Sequence, residues 1–323
     1  MQAIFSYIKE QLRDYYPESE IKSFYYLIMK SVCRLDKQSV LLGKDTQISP
    51  DEKRFIEKII EDLKKFRPIQ YILGETEFYG YKFKVNEQVL IPRPETEELV
   101  ERVLTFARHC EGEARSNLPP PQPLPTKGGE LDCFTPFAMT KNSASHRVLD
   151  VGTGSGCIAV ILAKFLTGAE VYATDISEKA LEVALENALD NQVTVQFIRH
   201  DIFEDWPEYL PERWDIIVSN PPYVTPGEKK IMSKNVLDYE PHQALFVPME
   251  NPLLFYERIA DISLEHLKEN GRLYFETSAV HGKEAMEMLK EKGFGNVRLF
   301  QDMAGRDRVL TACKVFNPSL RTE

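Results

Sequence analysis

The fold of this chain is decided by the stretch Arg147-Val148-Leu149-Asp150-Val151-Gly152-Thr153-Gly154-Ser155-Gly156. A short apolar run, typical of a buried strand, leads into three glycines in alternate positions, and a helical pattern follows directly. Glycines in a strand-to-helix turn lack the β-carbons that would keep a ligand away from backbone N–H groups. We therefore predict that Gly152, Thr153, Gly154, Ser155 and Gly156 bind a cofactor.

The glycine spacing narrows the class of cofactor. Nucleotides, nicotinamide cofactors and S-adenosylmethionine are all bound by turns of this kind. The order here is G-x-G-x-G, whereas the dinucleotide fingerprint is G-x-G-x-x-G, so a pyrophosphate is disfavoured. The sequence has no G-x-x-x-x-G-K-[ST] motif, which excludes a P-loop.

From the glycine turn onward, strands and helices alternate, which is typical of a parallel sheet covered on both faces. The last two strands are joined by residues 303–307 alone, and this link is too short for a crossover helix. We therefore predict an α/β fold with a mostly parallel seven-stranded sheet that ends in an antiparallel hairpin. The predicted strands are 147–151, 170–174, 193–198, 214–218, 273–275, 297–300 and 308–313.

The N-terminal part of the chain has a helical pattern instead. Ser49-Pro50-Asp51-Glu52 is a strong helix start, and Phe55, Ile59, Leu63 and Phe66 follow as one apolar stripe. Residues 75–91 change to a two-residue period with Gly80 as a turn residue, which predicts a β-hairpin. We predict a helical domain at 1–72, a hairpin linker at 73–92 and a catalytic domain at 93–323. Residues 111–146, which are rich in proline, are predicted to be a mobile insertion.

Composition excludes several classes of protein. The chain has 323 residues and a net charge of −10, and residues 1–90 hold 15 Lys and Arg against 14 Asp and Glu, so the acidity lies in the later region. That balance argues against direct binding to nucleic acid. The sequence shows neither an eighteen-residue apolar run nor a secretory signal, which predicts a cytoplasmic protein without a membrane segment. Five scattered cysteines without a Cys-x-x-Cys pair predict no disulfide framework and no metal site.

Two acidic residues follow the second and third predicted strands. Asp175 stands where a carboxylate accepts hydrogen bonds from both ribose hydroxyls, although an acid at a strand end also caps helices, and Ser177 already offers a cap. Asp201 is placed to reach an adenine amine, and Ile202 to pack on the ring. The alternative for Asp201 is an acid in a solvated loop.

The class of reaction is indicated by Asn220-Pro221-Pro222-Tyr223, directly after the fourth predicted strand. Two consecutive prolines restrict the backbone and hold the Pro221 carbonyl outward. That carbonyl and the Asn220 side-chain oxygen then form two acceptors that face one point. Two acceptors suit an NH₂ group in the plane of an amide or a base, and Tyr223 can stack on that plane. We predict Asn220, Pro221 and Tyr223 as catalytic, the four residues as substrate-binding, and Asn220 as a cofactor contact too.

Together these motifs resemble the release-factor glutamine methyltransferase family (PrmC/HemK). The most specific match is Ile91-Pro92-Arg93-Pro94-Glu95-Thr96-Glu97 in combination with Asn-Pro-Pro-Tyr. The resemblance runs nearly end to end and also covers residues 68–74, 77–80, 149–156, 219–223, 239–241, 244–245, 305 and 308–309.

The resemblance implies a class I S-adenosylmethionine-dependent methyltransferase fold with a small N-terminal helical bundle. It further implies methyl transfer from S-adenosyl-L-methionine to the side-chain nitrogen of the glutamine in the Gly-Gly-Gln motif of class I release factors. The docking of that protein substrate would fall to the helical domain.

Three other functions stay open. A glutamine methyltransferase of a ribosomal protein would share every motif. A DNA or RNA amino-methyltransferase would also use Asn-Pro-Pro-Tyr, but it needs a basic target-recognition region. A non-catalytic protein could bind the cofactor as a structural ligand only.

Two further features concern the surroundings of the site. Arg93 and Glu95 are candidates for the pocket wall, with a solvated turn as the alternative. The chain departs from the family's pattern in the long insertion and at Glu276-Thr277, and we expect neither departure to touch the site.

Overall fold

The computed structural model describes residues 2–42, 48–111 and 146–315. The predicted insertion at 111–146 lies outside the described residues except at its two ends. In chain order the elements are α1 (Gln2–Leu12), α2 (Glu18–Cys33), α3 (Lys37–Leu41), α4 (Pro50–Lys64), α5 (Ile69–Leu73), β1 (Glu75–Phe78), β2 (Tyr81–Lys84), α6 (Pro94–Glu111), β3 (Arg147–Val151), α7 (Cys157–Phe165), β4 (Glu170–Asp175), α8 (Glu178–Asp190), β5 (Gln196–Arg199), β6 (Trp214–Ser219), α9 (Lys234–Tyr239), α10 (Leu254–His266), β7 (Leu267–Glu276), α11 (Gly282–Glu291), β8 (Gly295–Gln301) and β9 (Asp307–Cys313).

The chain divides into two compact units. The first comprises Met1–Thr76, Val85–Ile91 and Lys229–Pro241, and the second comprises Glu77–Lys84, Pro92–Glu228 and His242–Glu323. Strands β1 and β2 form the expected hairpin as a two-stranded sheet. The functional domains at 1–72, 73–92 and 93–323 stay a prediction.

The first unit is built around α1, α2 and α4. Helix α4 begins with the predicted capping box, in which the Glu52 backbone N–H donates to Ser49 Oγ at 3.2 Å and the Ser49 N–H donates to Glu52 Oε2 at 2.7 Å. The predicted apolar stripe is wrong at Phe55, which is 44% exposed. The buried face of α4 is rotated relative to the predicted stripe. Its buried residues are Ile56, Ile59, Ile60 and Leu63.

The described residues of the second unit form a seven-stranded sheet in the order β5-β4-β3-β6-β7-β9-β8. The five strands from β5 to β7 run parallel, whereas β9 pairs antiparallel with both β7 and β8. The predicted mostly parallel sheet with a closing hairpin is therefore confirmed.

Helices cover both faces of this sheet. Helices α6, α7 and α8 contribute to one buried apolar cluster, and α10 and α11 contribute to a second one. Because both faces are covered, the central strands are almost continuously buried, and a ligand reaches the sheet only at a strand end.

Among the described residues, no helix combines the length and the apolar character needed to cross a membrane. Within the same part of the chain, no group of three His, Cys, Asp or Glu side chains is arranged to hold a metal ion.

Candidate functional site

The candidate residues meet at the carboxyl ends of β3 and β6, the two strands at which the strand order reverses. Val151 at the end of β3 pairs with Ser219 at the end of β6, so Gly152 and Asn220 follow at the same height on neighbouring strands. The Ser219 hydroxyl donates to the Val151 carbonyl at 2.7 Å, which ties the two ends together. A point of reversed strand order opens a crevice in which α/β proteins bind their ligands.

The glycine turn has a different physical role from the expected one. Its backbone N–H groups are mostly used inside the protein. Those of Gly152 and Thr153 donate to the Thr174 carbonyl, that of Gly154 donates to Asp175 Oδ2, and that of Gly156 donates to the Thr153 carbonyl. The turn therefore offers a ligand open space above the glycines rather than a row of free donors.

The three glycines divide into two groups. All have positive φ, at 71° for Gly152, 54° for Gly154 and 78° for Gly156. A β-carbon on Gly156 would lie 2.9 Å from Cβ of Ala184 in α8, so this glycine permits close packing of the turn against that helix. A β-carbon on Gly152 or Gly154 would meet nothing within 4 Å. The space over these two positions is therefore open.

Thr153 and Ser155 turn their side chains into the protein, and they are only 5% and 3% exposed. The Thr153 hydroxyl donates to Asp150 Oδ2 at 2.6 Å, and the Ser155 carbonyl accepts from Asn187 Nδ2 at 2.8 Å. Both residues shape the turn, and any contact with a cofactor comes from their backbone.

Asp150 is a site residue that the sequence reasoning did not select. It is fully buried, its Oδ2 also accepts from the Ala159 backbone N–H at 3.3 Å, and its Oδ1 has no hydrogen-bond partner among the described residues. Burial raises the pKa of Asp150 to about 7, although the hydrogen bond from Thr153 opposes the shift. The sequence feature that could have indicated Asp150 is an acidic residue in the next-to-last position of the strand before the glycines.

Asp175 ends β4 beside the glycine turn. Its Oδ2 accepts from Gly154 N–H and its Oδ1 from Ser177 N–H, each at 2.9 Å. Each carboxylate oxygen keeps a second lone pair, so the group can still accept two ribose hydroxyls. Burial raises the pKa of Asp175, while these backbone hydrogen bonds lower it. The capping of α8 belongs to Ser177, whose Oγ accepts from Ala180 N–H at 3.2 Å.

Asp201 and Ile202 lie beyond β5, the edge strand next to β4. Both are half-buried, and Asp201 Oδ1 accepts from the Phe203 backbone N–H at 3.0 Å. The Ile202 carbonyl accepts from Arg258 Nε at 2.5 Å, and its side chain packs against the apolar cluster under α10 and α11. The two residues are thus held at the same sheet edge as Asp175.

The Asn-Pro-Pro-Tyr segment leaves its two predicted acceptors available. Within the described residues, neither Asn220 Oδ1 nor the Pro221 carbonyl accepts a hydrogen bond. Asn220 Nδ2 lies 3.5 Å from Thr96 Oγ1, and the Tyr223 hydroxyl donates to Glu276 Oε1 at 3.4 Å. Burial raises the pKa of Tyr223, so its phenol stays protonated.

Thr96 and Glu276 were missed by the sequence reasoning, and the expectation that Glu276-Thr277 does not touch the site is wrong. The Thr96 hydroxyl donates to Glu276 Oε2 at 2.6 Å, and the two residues are 2% and 1% exposed. Burial raises the pKa of Glu276, whereas its hydrogen bond from Thr96 and the nearby Arg308 guanidinium lower it. The departure at Glu276 therefore lies directly behind Asn220.

One of the two remaining candidates, Glu95, belongs to an ion-pair cluster. Glu95 accepts from Arg306 at 3.3 Å, and Arg306 Nε donates to Asp302 Oδ2 at 3.0 Å. Arg308 lies 3.5 Å from the same Asp302 oxygen. Glu95 is therefore paired at the protein surface, and its place in the pocket wall stays a prediction.

A cavity of about 740 Å³ is present elsewhere in the second unit. Trp206, Leu210 and His266 are among the residues that line it, and none of the predicted site residues does. The candidate site is thus at the strand ends and not in this cavity.

Comparison with protein families identifies both parts of the chain. Residues 3–74 match the family described as PrmC N-terminal domain, and residues 132–239 match the family described as Methyltransferase small domain.

Curated relatives match over nearly the whole length. A release factor glutamine methyltransferase of Flavobacterium psychrophilum is 42% identical over 301 residues, covering 93% of this chain and 94% of the relative. A release factor glutamine methyltransferase of Bacteroides thetaiotaomicron is 41% identical over 312 residues, covering 97% of this chain and 99% of the relative.

Among solved structures, the hMettl16 catalytic domain in complex with a 3′UTR hairpin matches with a TM-score of 0.50. It covers 79% of this chain and 82% of its own, at 17% identity, which shows a shared fold only.

Proposed function

Because the chain belongs to the release factor glutamine methyltransferase family, we propose that it methylates the glutamine of the Gly-Gly-Gln motif in class I peptide-chain release factors. The enzyme is an S-adenosylmethionine-dependent protein-glutamine methyltransferase, and the accepting atom is the side-chain amide nitrogen. Its product supports translation termination, and we infer a cytoplasmic location for that reason.

The residues at the ends of β3, β4 and β5 fit the cofactor. Gly152 and Gly154 leave room for it, and Asp175 has lone pairs for the ribose hydroxyls. Asp201 and Ile202 follow the neighbouring strand β5 and would contact the adenine. When bound, S-adenosylmethionine supplies an electrophilic methyl group on a sulfonium sulfur. The residues of the chain position the acceptor opposite that methyl group.

The chemical difficulty of the reaction is the weak nucleophilicity of an amide nitrogen, whose lone pair is delocalised into the carbonyl. Asn220 Oδ1 and the Pro221 carbonyl accept the two N–H bonds of the glutamine amide. They hold its plane still and stabilise the positive charge that develops on nitrogen. Burial keeps the Tyr223 phenol protonated, and the Tyr223 ring would stack on the amide plane. The proton leaves after transfer, so no strong general base is required.

The observation that carries this proposal is the acceptor pair at the end of β6, directly beside the glycine turn at the end of β3. An uncharged NH₂ group satisfies such a pair. The acidity of the chain also favours a protein loop over a polyanion, so we expect no direct contact with nucleic acid.

The test is mass spectrometry of a recombinant class I release factor after incubation with the enzyme and S-adenosylmethionine. We expect one added methyl group on the Gly-Gly-Gln glutamine. A release factor in which that glutamine is replaced by glutamate is the control, because a carboxylate offers no NH₂ group. Methylation of a ribosomal protein in place of the release factor would contradict the proposal, as would methylation at another residue.

The docking of the protein substrate is assigned to the first unit. It presents exposed apolar side chains at the end of α3, where Leu41 is 67% and Leu42 is 79% exposed. Apolar side chains with this degree of exposure suit contact with another protein.

A further inference from the structure

Asn220 of the acceptor pair and three further side chains form one continuous network. Asn220 Nδ2 lies 3.5 Å from Thr96 Oγ1, Thr96 Oγ1 lies 2.6 Å from Glu276 Oε2, and Glu276 Oε1 lies 3.4 Å from the Tyr223 hydroxyl. The network joins the first turn of α6, the end of β7 and the segment after β6. Two of its members, Thr96 and Glu276, are buried.

The directions of these hydrogen bonds follow from the chemistry of the groups. The Thr96 hydroxyl donates its single proton to Glu276 Oε2, and the Tyr223 hydroxyl donates to Glu276 Oε1, so both carboxyl oxygens of Glu276 act as acceptors. The Thr96 oxygen is then left with lone pairs alone on its other side. Asn220 must therefore direct its NH₂ group, which is its hydrogen-bond donor, toward Thr96.

Asn220 has one donor end and one acceptor end, and the two are interchanged when its amide rotates by half a turn. With its NH₂ group on Thr96, its Oδ1 faces the substrate. The rotated amide would set Oδ1 against the lone pairs of Thr96 and would present NH₂ to the glutamine NH₂. Donor would then face donor, and the glutamine nitrogen would lose one of its two acceptors.

We propose that Thr96 and Glu276 are positioning residues that fix the orientation of the Asn220 amide, so that its oxygen and not its nitrogen faces the substrate. This inference rests on the proposed function of the Asn220 and Pro221 acceptor pair. The Asn220–Thr96 separation is long for a hydrogen bond, and it shortens when the substrate amide pulls Asn220 into line. The Arg308 guanidinium opposes the rise in the pKa of Glu276 that burial causes.

The direct test is Thr96→Val, which keeps the shape of the side chain and removes the hydroxyl. We expect kcat for release-factor methylation to fall about tenfold, because the Asn220 amide loses its orienting partner. The Kd for S-adenosylmethionine stays within about twofold of the wild-type value. Thr96→Ser restores the hydroxyl and most of kcat. The matched control is Thr105→Val, an exposed threonine on the same helix.

A double-mutant cycle with Asn220→Ala distinguishes a positioning role of Thr96 from a merely structural one. The cycle is measured under single-turnover conditions with labelled cofactor. If Thr96 acts through Asn220, then Thr96→Val causes no further loss once Asn220 is alanine. An equal loss in both backgrounds would overturn the inference. Glu276→Gln is the second variant, since its amide can donate to Thr96 and so reverse the polarity. It should lower kcat as Thr96→Val does, with the thermal unfolding midpoint of each variant measured alongside.

The outcomes distinguish this inference from the function on which it rests. A wild-type enzyme that adds no methyl group to the release factor would overturn both. An active wild-type enzyme with an equally active Thr96→Val variant would overturn the positioning role alone.

Discussion

The backbone N–H of Gly154 donates a 2.9 Å hydrogen bond to Oδ2 of Asp175 and thereby fastens the glycine turn after β3 to the end of β4. One carboxylate is thus both a support for the turn and a candidate for the ribose contact. The two roles make Asp175 the residue on which the shape of the cofactor site depends most directly.

We predict that Asp175→Asn raises the Kd for S-adenosylmethionine by about tenfold or more, because an asparagine NH₂ group would face one of two backbone N–H donors. At saturating cofactor, kcat should fall by less than about threefold. Isothermal titration calorimetry measures the first quantity and steady-state kinetics the second. Glu178→Gln, an exposed acid on the following helix, is the control. A loss confined to kcat would show that Asp175 is not a cofactor contact.

Asn220→Ala is predicted to have the opposite profile. It removes one of the two acceptors for the substrate amide, so turnover should fall about 100-fold or more. The Kd for the cofactor should change much less than turnover, since Asn220 is only one of the predicted cofactor contacts and Gly152, Gly154 and Asp175 are untouched. Single-turnover assays with labelled cofactor and calorimetry check the two values. Equal losses in turnover and in cofactor affinity would contradict the assignment.

The glycines of the turn should respond differently to alanine. Gly156→Ala places Cβ 2.9 Å from Cβ of Ala184, in addition to the strain of a positive φ, so we expect a clear fall in the thermal unfolding midpoint. Gly154→Ala carries the strain without the clash, because its Cβ meets open space. It should lose less stability and more cofactor affinity. If both variants lost stability equally, the Ala184 contact would not explain the need for Gly156.

The raised pKa of the buried Asp150 predicts that the stability of the protein depends on pH. Burial raises its pKa from 3.8 to about 7, so the folded state binds this proton more tightly than the unfolded chain does. Proton binding by Asp150 therefore favours the folded state. This contribution to stability is complete below the pKa of Asp150 in the unfolded chain, and it is lost as the pH rises toward its pKa in the folded protein. Asp150→Asn keeps the shape without the charge. The variant should therefore gain stability relative to wild type between about pH 4 and pH 7, by roughly 4 kcal/mol at most.

Urea unfolding of both proteins at several pH values measures this difference, and other titrating groups cancel in it. A difference that stays constant from pH 4 to pH 7 would mean that Asp150 has an ordinary pKa in the folded protein.

If the first unit docks the protein substrate, a substitution on its exposed apolar surface should affect intact release factor but not a short peptide. Leu42→Glu replaces an exposed apolar side chain by a charge, so the KM for intact release factor should rise severalfold. A short peptide that carries the Gly-Gly-Gln motif should be methylated as before, because it lacks the rest of the release factor that would contact Leu42. Steady-state kinetics with the two substrates make the comparison. Leu185→Glu, on an exposed position of the second unit, serves as the control. Equal effects on both substrates would argue against docking at this position.

The elements of the fold and the outline of the site follow from the sequence. The order of strands and helices, the closing hairpin, the glycine turn and the Asn220-Pro221-Pro222-Tyr223 segment depend on local patterns and short links. A turn with no room for a helix forces an antiparallel pair, and two adjacent prolines restrict their own backbone wherever they occur.

The tertiary structure alone decided which side chains stand behind the site. Thr96 and Glu276 are 180 residues apart, and they meet because the sheet order brings the end of β7 beside the first turn of α6. The same packing buries Asp150 and sets Gly156 against Ala184 while Gly154 faces open space. A sequence shows which groups can donate and accept, but burial and partner choice depend on contacts between distant residues. For this reason the acceptor groups could be proposed from the sequence, whereas the contacts of Thr96 and Glu276 with Asn220 and Tyr223 could not.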